Sequence, residues 1–278
     1  MRVLVTGGSG GLGRYVVRAL EGKAEVFAPS HKHVDITWNV DVLRFFCYVK
    51  PHVVVHLAAM TNTAMCETHG HSAHTINARG TANVARACAE AKARLIYMST
   101  DAVFAGEGPH PEDKTPSPDV LVGSKREGEG SIYGFTKLGG EQAVAALGND
   151  GLIVRANFFT RHCNGKTSFA EYVAREARIP RFFHCYEGVV STPVFAKTLA
   201  ERIVQAVVER EHGILHVASS DSVNRVEQAR MICEAYGLPT NTIVVDSTKA
   251  SDGRLVAPRG VRGTVREEIA KMVKEEPL

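Results

Sequence analysis

Short apolar stretches alternate with longer amphipathic segments along the chain. Six stretches rich in Val, Ile and Leu predict strands at residues 2–6, 24–29, 52–59, 93–100, 151–157 and 213–219. Several are apolar throughout, which is typical of parallel strands covered on both faces. The segments between them predict helices at about residues 11–20, 40–49, 72–92, 133–147, 167–178, 194–210 and 224–236. We therefore expect an α/β fold with a doubly wound parallel sheet.

Composition and charge restrict the function without identifying it. The 278 residues are 44% hydrophobic, and the net charge of +3 is too small to indicate a nucleic-acid surface. The six cysteines form no CxxC pair, so we expect reduced, mostly buried thiols. Met1 leads directly into a predicted strand, and no run reaches the roughly 18 apolar residues of a membrane span. We expect a cytoplasmic protein with neither membrane nor nucleic-acid partners.

The first motif with a chemical meaning is VTGGSGGLG, which ends the first predicted strand and opens the first predicted helix. Its glycines Gly7, Gly10 and Gly13 are three residues apart. Glycine allows a tight turn and close approach to a pyrophosphate, while the helix N-terminus offers N–H groups to the anion. The motif predicts a dinucleotide site, with a purely structural turn as the alternative. The same turn adds three candidate cofactor-binding residues, Ser9, Gly11 and Leu12.

The end of the second predicted strand indicates which dinucleotide is bound. NAD sites usually have an acidic residue about 20 residues after the glycines, where it binds the ribose 2′-hydroxyl. Here the strand is followed by Ser30, His31 and Lys32, and the next carboxylate is Asp35. A hydroxyl and two basic side chains suit a 2′-phosphate, so NADP(H) is the expected cofactor. The alternative is that His31 and Lys32 belong to a solvated loop.

Two further motifs contain candidate catalytic residues. In SIYGFTKLGGEQAVAAL, Tyr133 and Lys137 stand four apart at the start of a predicted helix, so both emerge on one face. In STDAVFAG, Thr100 and Asp101 stand where the fourth predicted strand ends. Together with the glycine-rich turn, these motifs resemble the short-chain dehydrogenase/reductase superfamily, specifically its extended branch acting on nucleotide sugars. Within that branch the pattern is most similar to the dTDP-4-dehydrorhamnose reductases.

The resemblance implies a Rossmann-type sheet with a smaller, discontinuous C-terminal substrate-binding lobe. Residues 1–157 and about 190–220 would form the NADP-binding core, and about 158–189 and 221–278 the lobe. HLAAMTNTAMCE resembles the strand and turn under the cofactor, and VDIT resembles an Asp-hydrophobic pair beside the adenine. These two matches imply further cofactor contacts by Asp35, Ile36, Leu57, Ala58 and Ala59.

The resemblance also implies NADPH-dependent reduction of a keto group, at C4 of a nucleotide-linked deoxysugar. Thr100 would orient the carbonyl oxygen and Tyr133 would protonate it. Because a free tyrosine has a pKa near 10, Lys137 and the bound nicotinamide would have to lower the pKa of Tyr133. Lys137 would also hold the ribose, and Asn77 would position Lys137 through a water. A homodimer through the helices of Asn77 and Tyr133 is implied as well.

The nucleotide sugar itself is less well defined by the sequence. Its candidate contacts are Thr61, Thr100, Asp101, Ala102, Arg161 and Thr192. Arg161 is the candidate for a substrate phosphate, because guanidinium binds phosphate in a forked geometry, although a plain surface position is equally compatible. Ala102 replaces an aromatic residue usual in these reductases, and the segment Glu107 to Ser131, either a surface loop or a lid, is longer by roughly ten residues. Because of both departures, the resemblance does not identify the substrate sugar.

Two other functions stay open. One is a nucleotide-sugar epimerase or dehydratase with tightly bound NAD. Against the dehydratase, these enzymes typically have Glu where Ala102 stands. Against the epimerase, the second predicted strand lacks the acidic residue typical of NAD sites. The other is a non-catalytic, NADP-binding regulatory subunit resembling that of methionine adenosyltransferase. The intact set of Thr100, Tyr133 and Lys137 favours catalysis.

A histidine cluster raises the question of a metal. His69, His71 and His74 are close together, but His71 and His74 are expected on the first turn of a helix, and the reaction that the resemblance implies needs no zinc. We therefore expect no metal.

Overall fold

The computed structural model describes residues 1–116, 131–163 and 166–278. Its strands are β1 (Arg2–Thr6), β2 (Glu25–Phe27), β3 (Val53–His56), β4 (Arg94–Met98), β5 (Gly151–Arg155), β6 (Phe158–Phe159), β7 (His162–Cys163), β8 (Lys166–Thr167), β9 (Phe183–Ser191), β10 (Val194–Phe195), β11 (Gly213–His216), β12 (Val223–Asn224) and β13 (Ile243–Gly253). Its helices are α1 (Gly13–Leu20), α2 (Asn39–Val49), α3 (Thr63–Thr68), α4 (Gly70–His74), α5 (Thr81–Ala91), α6 (Ile132–Ala145), α7 (Phe169–Glu176), α8 (Ala196–Glu209), α9 (Arg225–Ala235) and α10 (Val265–Glu275). A π-helical turn lies at Thr75–Gly80, and 3₁₀ turns lie at Asp101–Val103 and Gly148–Asp150. None of the described helices is long and apolar enough to cross a membrane.

The six predicted strands form one parallel sheet in the order β2-β1-β3-β4-β5-β11. From β1 the chain moves outward to β2, and then crosses back to β3 on the other side of β1. In open α/β sheets this switch of direction opens a crevice at the carboxyl ends of the strands, where ligands bind. The predicted doubly wound parallel sheet is therefore confirmed, and β1 and β3 border its switch point.

The sheet is covered on both faces, which explains its continuously apolar strands. Side chains of a strand point alternately to opposite faces. In β1, Val3 and Val5 accordingly join the core that contains α1 and α8, while Leu4 joins the core that contains α2 and α5. Burial of each such side chain stabilises the fold by roughly 1.5–3 kcal/mol, so both faces contribute.

A second, three-stranded sheet in the order β12-β9-β13 lies in the C-terminal half of the chain. Its two long strands pair in parallel, with an irregularity between Asp246 and Ala250. The hydrophobic pattern did not predict β9 or β13, because most positions of β13 are exposed or half-buried. It also missed α3 and α10, although a capping box formed by Thr264 and Glu267 marks the start of α10.

The single helix expected at 72–92 is three successive pieces. The π-helical turn Thr75–Gly80 interrupts the α-helical hydrogen bonding between α4 and α5. Such turns insert an extra residue and often occur at functional sites. This turn contains Asn77, one of the predicted positioning residues.

Candidate active site

The glycine-rich turn between β1 and α1 is crowded by backbone on several sides. Gly7 has a φ of +70°, and a Cβ there would lie 2.7 Å from the amide nitrogen of Ala58. A Cβ on Gly13 would overlap the Gly7 carbonyl oxygen and come within 2.7 Å of Gly8. Only glycine fits these positions, and the resulting cradle at a helix N-terminus suits a pyrophosphate. Four more predicted cofactor residues lie in this turn, namely Ser9, Gly10, Gly11 and the buried Leu12.

The predicted 2′-phosphate residues lie just beyond the carboxyl end of β2. His31 and Lys32 are exposed, and Ser30 is half-buried with its Oγ 2.8 Å from His33 Nδ1. Exposed cationic side chains at this edge are available to an anion that approaches from solvent. The structure thus places the three residues side by side, and their role stays a prediction.

The predicted adenine-side pair lies on the following turn. Asp35 Oδ1 accepts hydrogen bonds from the Thr37 amide at 2.9 Å and from its hydroxyl at 2.8 Å. Ile36 is buried, and a Cβ on Gly80 would lie 2.9 Å from its Cδ1. Glycine at position 80 therefore lets this turn approach the π-helical turn closely.

A buried histidine that the sequence analysis did not consider connects the switch point to the π-helical turn. His56 Nδ1 lies 2.6 Å from Thr6 Oγ1, and His56 Nε2 lies 3.1 Å from Thr81 Oγ1. Because the Thr81 hydroxyl donates its proton to the Asn77 carbonyl at 2.6 Å, it must accept from Nε2–H, which leaves Nδ1 as the acceptor from Thr6. Burial and the Lys137 charge lower the pKa of His56 to about 3, so the ring is neutral.

Leu57, Ala58 and Ala59, the predicted cofactor residues after β3, are half-buried at the same edge of the sheet. Asn77 fixes the end of this segment: its Oδ1 accepts from the Met60 amide at 2.8 Å, and its Nδ2 donates to the Met60 carbonyl at 3.0 Å. Thr61, a predicted substrate contact, follows and is exposed.

Asn77 also fastens the π-helical turn to α6. Its Nδ2 donates a 3.0 Å hydrogen bond to the hydroxyl of Thr136, the neighbour of Lys137 in sequence. Both amide protons of Asn77 are thereby used, by Met60 and by Thr136. This direct link places Asn77 beside Lys137, and the water-mediated contact stays a prediction.

The residues after β4 form a tight turn that faces α6. Thr100 caps it, because the Ala102 amide donates to Thr100 Oγ1 at 3.2 Å, and the Thr100 hydroxyl donates to Asp101 Oδ1 at 3.0 Å. A Cβ on Gly134 would overlap the Ala102 carbonyl oxygen, so glycine lets the start of α6 touch the turn. This close approach brings Tyr133 near enough to Thr100 and Asp101 for both to affect its pKa.

Asp101 joins this turn to the second half of the chain. Its buried carboxylate accepts a 2.8 Å hydrogen bond from Asn157 Nδ2. A Cβ on Gly253, the last residue of β13, would overlap Asp101 Oδ2. Strand β13 therefore ends directly against the candidate catalytic turn, while Ala102 beside it is half-buried.

Burial and neighbouring charges set the electrostatics of the candidate catalytic pair, Tyr133 and Lys137, in the absence of cofactor. Burial and the negative charge of Asp101 raise the pKa of Tyr133, and Thr100 only partly opposes this. Burial also lowers the pKa of Lys137 to about 7, against the opposing influence of Glu141. In the protein alone Tyr133 is thus a firmly protonated phenol, and Lys137 titrates near neutrality.

Two predicted substrate contacts are engaged with the protein itself. The Arg161 amide donates to Glu276 Oε2 at 2.6 Å and its guanidinium donates to the Pro277 carbonyl at 2.5 Å, with Glu171 at 3.3 Å. Thr192 Oγ1 accepts from the Leu255 amide at 3.2 Å. These contacts connect both residues to the C-terminal part of the chain, and their substrate roles stay predictions.

Arg225, at the start of α9, is a candidate substrate residue that the sequence analysis missed. Its guanidinium lies 4.6 Å from the centre of the Phe169 ring and donates to Gln228 Oε1 at 2.6 Å. Burial lowers its pKa, while the charge of Asp101 opposes this. It forms no ion pair with any carboxylate in the described part of the chain. A half-buried cation near the candidate catalytic turn suits an anionic ligand.

The remaining expectations concern a loop and a metal. Residues 117–130 of the Glu107 to Ser131 segment lie outside the described residues. Before them, His110 Nε2 lies 2.8 Å from the Asp252 carbonyl oxygen, and Glu112 accepts from the His216 amide at 2.8 Å. These contacts tie the first part of the segment to the core. Among the described residues, no group of three or more His, Cys, Asp or Glu could hold a metal ion.

Comparison with known proteins agrees with this geometry. Residues 1–271 match the family described as RmlD substrate binding domain. A dTDP-4-dehydrorhamnose reductase of Mycolicibacterium smegmatis is 33% identical, over 85% of this chain and 69% of its own. A dTDP-4-keto-6-deoxy-D-glucose reductase of Streptomyces niveus is 31% identical, over 91% of this chain and 85% of its own. The structure of a Bacillus anthracis dTDP-4-dehydrorhamnose reductase in complex with NADP matches with a TM-score of 0.88 and 25% identity over 99% of both chains. As its motifs predicted, the chain belongs to the RmlD family within the extended short-chain dehydrogenases/reductases.

Proposed function

We propose that this chain is an NADPH-dependent reductase that converts the 4-keto group of a dTDP-linked deoxysugar to a hydroxyl. The observation that carries the proposal is the grouping of Thr100, Tyr133 and Lys137 at the carboxyl edge of the parallel sheet, the same edge that has the glycine cradle after β1. The names of its relatives, which are reductases of dTDP-4-keto sugars, support the same reaction.

The protonation state of Tyr133 suits a proton donor. Its raised pKa keeps the phenol protonated at neutral pH, as reduction of a carbonyl requires. The Thr100 and Tyr133 hydroxyls would bind the carbonyl oxygen and stabilise the negative charge that develops on it. NADPH, when bound, supplies the hydride. Tyr133 then delivers the proton that completes the alcohol.

The cofactor would lie along the carboxyl edge of β1, β2 and β3. The glycine cradle fits its pyrophosphate, because a Cβ at Gly7 or Gly13 would fill that space. The exposed pair His31 and Lys32, with Ser30, would hold the 2′-phosphate. Lys137 would hold the nicotinamide ribose. Further predicted contacts are Asp35, Ile36, Leu57, Ala58 and Ala59.

The nucleotide sugar would lie between this edge and the C-terminal lobe, which comprises about 158–189 and 221–278. Asp101 and Ala102 would contact the sugar, together with Thr61 and Thr192. Arg225 is a better candidate than Arg161 for the diphosphate, because Arg161 already pairs with the Glu171 carboxylate, whereas Arg225 pairs with no carboxylate among the described residues. The small side chain of Ala102 leaves room beside the sugar.

The alternatives have less support. Dehydratases of this superfamily typically have Glu after the residue that corresponds to Asp101, where this chain has Ala102. The set of Thr100, Tyr133 and Lys137 argues against a purely regulatory role. The homodimer and the cytoplasmic location stay predictions, and light scattering of the purified protein would test the homodimer.

Oxidation of NADPH in the presence of a panel of dTDP-4-keto-6-deoxy sugars tests the proposed reaction. We expect turnover of at least one sugar, a weaker rate with NADH, and loss of turnover in Tyr133→Phe with NADPH binding retained. If the folded protein binds NADPH but reduces no sugar of the panel, the proposed function is wrong.

A further inference from the structure

A buried ion pair lies on the protein side of the catalytic helix. Glu141 Oε2 accepts from an Arg155 terminal nitrogen at 2.7 Å, and Glu141 Oε1 accepts from Arg155 Nε at 3.0 Å. Both side chains are almost fully buried, at 3% and 1% exposed. A forked pair of this kind fixes the orientation of the carboxylate as well as its charge.

Both charged groups have additional partners that fix their position. The Ser99 hydroxyl donates to Glu141 Oε1 at 2.5 Å. The Arg155 guanidinium lies 5.0 Å from the centre of the Phe104 ring and 3.5 Å from His216 Nε2. Since Ser99 directly precedes Thr100, the carboxylate is attached to the catalytic turn as well as to β5.

Glu141 also follows Lys137 by four residues on α6, as Lys137 follows Tyr133. Residues four apart on a helix are neighbours on one face. Tyr133, Lys137 and Glu141 therefore form a row that runs from the candidate cleft into the core. Glu141 has no role in the proposed reaction, and its position behind Lys137 requires an explanation.

Other groups from the neighbouring elements also face Lys137. On β4, the Tyr97 ring lies with its centre 4.0 Å from Lys137 Nζ, and its hydroxyl donates to the Lys137 carbonyl at 3.2 Å. On β3, His56 is neutral, because burial and Lys137 itself lower its pKa. On α6, Tyr133 is protonated because its pKa is raised. Among these groups only Glu141 is a counter-ion, while Arg155 offsets part of its charge.

We propose that Glu141, held by Arg155 and Ser99, is a positioning residue that sets the protonation of Lys137. The carboxylate stabilises the Lys137 ammonium against desolvation. The positive charge of Arg155 limits that effect. Lys137 is therefore protonated near neutral pH but can still lose its proton as the pH rises. Only the expected effect on catalysis rests on the proposed reductase function. The titration of Lys137 is a property of the free protein and does not depend on it.

The direction of the effect follows from the charges. Burial already lowers the pKa of Lys137 to about 7, and Glu141 opposes this. Glu141→Gln removes the only counter-ion of Lys137 among the described residues and leaves the Arg155 cation in place, so the pKa of Lys137 should fall. A nearby opposite charge changes a pKa by about 1–3 units. Since Glu141 lies about one turn from Lys137 on α6, we expect a fall of at least about one pH unit.

The test is an NMR titration of the free protein with isotope-labelled lysine, in which Lys137→Met identifies the Lys137 signal. We expect the Lys137 midpoint to fall in Glu141→Gln and to be largely restored in Glu141→Asp. The pH profile of kcat/KM should shift in the same direction. An unchanged Lys137 midpoint in folded Glu141→Gln would overturn the proposal, whatever the substrate proves to be.

Two further variants separate electrostatics from folding. Glu176→Gln removes another buried carboxylate, the last residue of α7, which pairs with Arg175 and Arg181. This change must leave the Lys137 midpoint unchanged. If Glu141→Gln does not fold, the double variant Glu141→Gln with Arg155→Met removes both charges, so that Arg155 is not left buried without its carboxylate. The Lys137 midpoint of the double variant should also fall, but by less than in Glu141→Gln alone, because the Arg155 charge is removed as well. An unchanged midpoint would contradict the proposal.

Discussion

The Thr100 hydroxyl donates a 3.0 Å hydrogen bond to the carboxylate of Asp101. The residue expected to orient the substrate carbonyl is therefore itself oriented by a charged neighbour. Asn157 Nδ2 holds the other carboxylate oxygen at 2.8 Å. The same negative charge raises the pKa of Tyr133. Asp101 thus acts on both hydroxyls that would bind the carbonyl oxygen.

Replacement of Asp101 by Asn should lower the pKa of Tyr133, because the negative charge that disfavours tyrosinate is lost. A proton donor is lost as pH rises through its pKa, so the alkaline loss of activity should move to lower pH. The difference in phenolate absorbance between each protein and its Tyr133→Phe variant measures the titration. Asp113→Asn, at an exposed carboxylate, is the control. An unchanged Tyr133 titration in Asp101→Asn would contradict this assignment.

Gly13→Ala should abolish most NADPH affinity, because the new Cβ would overlap the Gly7 carbonyl oxygen and distort the cradle. Loss of hydrogen bonds to one phosphate weakens binding by about tenfold or more. The matched control is Gly22→Ala, where φ is +72° but no atom lies within 4 Å. It should cost about 1 kcal/mol of stability and leave the Kd for NADPH unchanged. Calorimetric titration measures the Kd for NADPH, and thermal unfolding measures the loss of stability. Equal Kd values for Gly13→Ala and Gly22→Ala would exclude the cradle as the pyrophosphate site.

Lys32→Ala should weaken NADPH binding and leave NADH binding unchanged, because only NADPH has the 2′-phosphate that this exposed cation would contact. Loss of one charge-assisted contact weakens binding by roughly tenfold. Lys23→Ala removes another exposed lysine, whose Nζ donates to the Ala19 carbonyl at 3.0 Å, and should change neither Kd. Equal Kd values of the unmodified protein for NADPH and NADH would contradict the proposed contact.

Arg225→Met should raise KM for the nucleotide sugar by about tenfold or more and leave NADPH binding intact, since the side chain would contact only the substrate diphosphate. Because the guanidinium is desolvated without an ion-pair partner among the described residues, its removal should not lower the melting temperature. Arg230→Met, at an exposed position on the same helix, is the control. A lower melting temperature with unchanged KM would mean that Arg225 is structural.

The central sheet could be predicted from sequence because its signal is local. Its strands are short runs rich in apolar residues, and the four central strands are covered on both faces, so the apolar pattern alone identified all six. Strand β13 could not be found in this way, because its pairing with β9 depends on main-chain hydrogen bonds and its side chains are mostly exposed. The break at Thr75–Gly80 was also hidden, since a π-helical turn keeps the composition of a helix.

The sequence by itself determined the doubly wound sheet, the glycine cradle and the spacing of Tyr133 and Lys137 on one helix face. These features depend on residues near one another in the chain, where backbone geometry fixes the relation. Only the tertiary structure decided that burial and Asp101 raise the pKa of Tyr133, and that Glu141 pairs with Arg155. Charge states and partners depend on desolvation and on which distant segments pack together, and spacing along the chain contains neither.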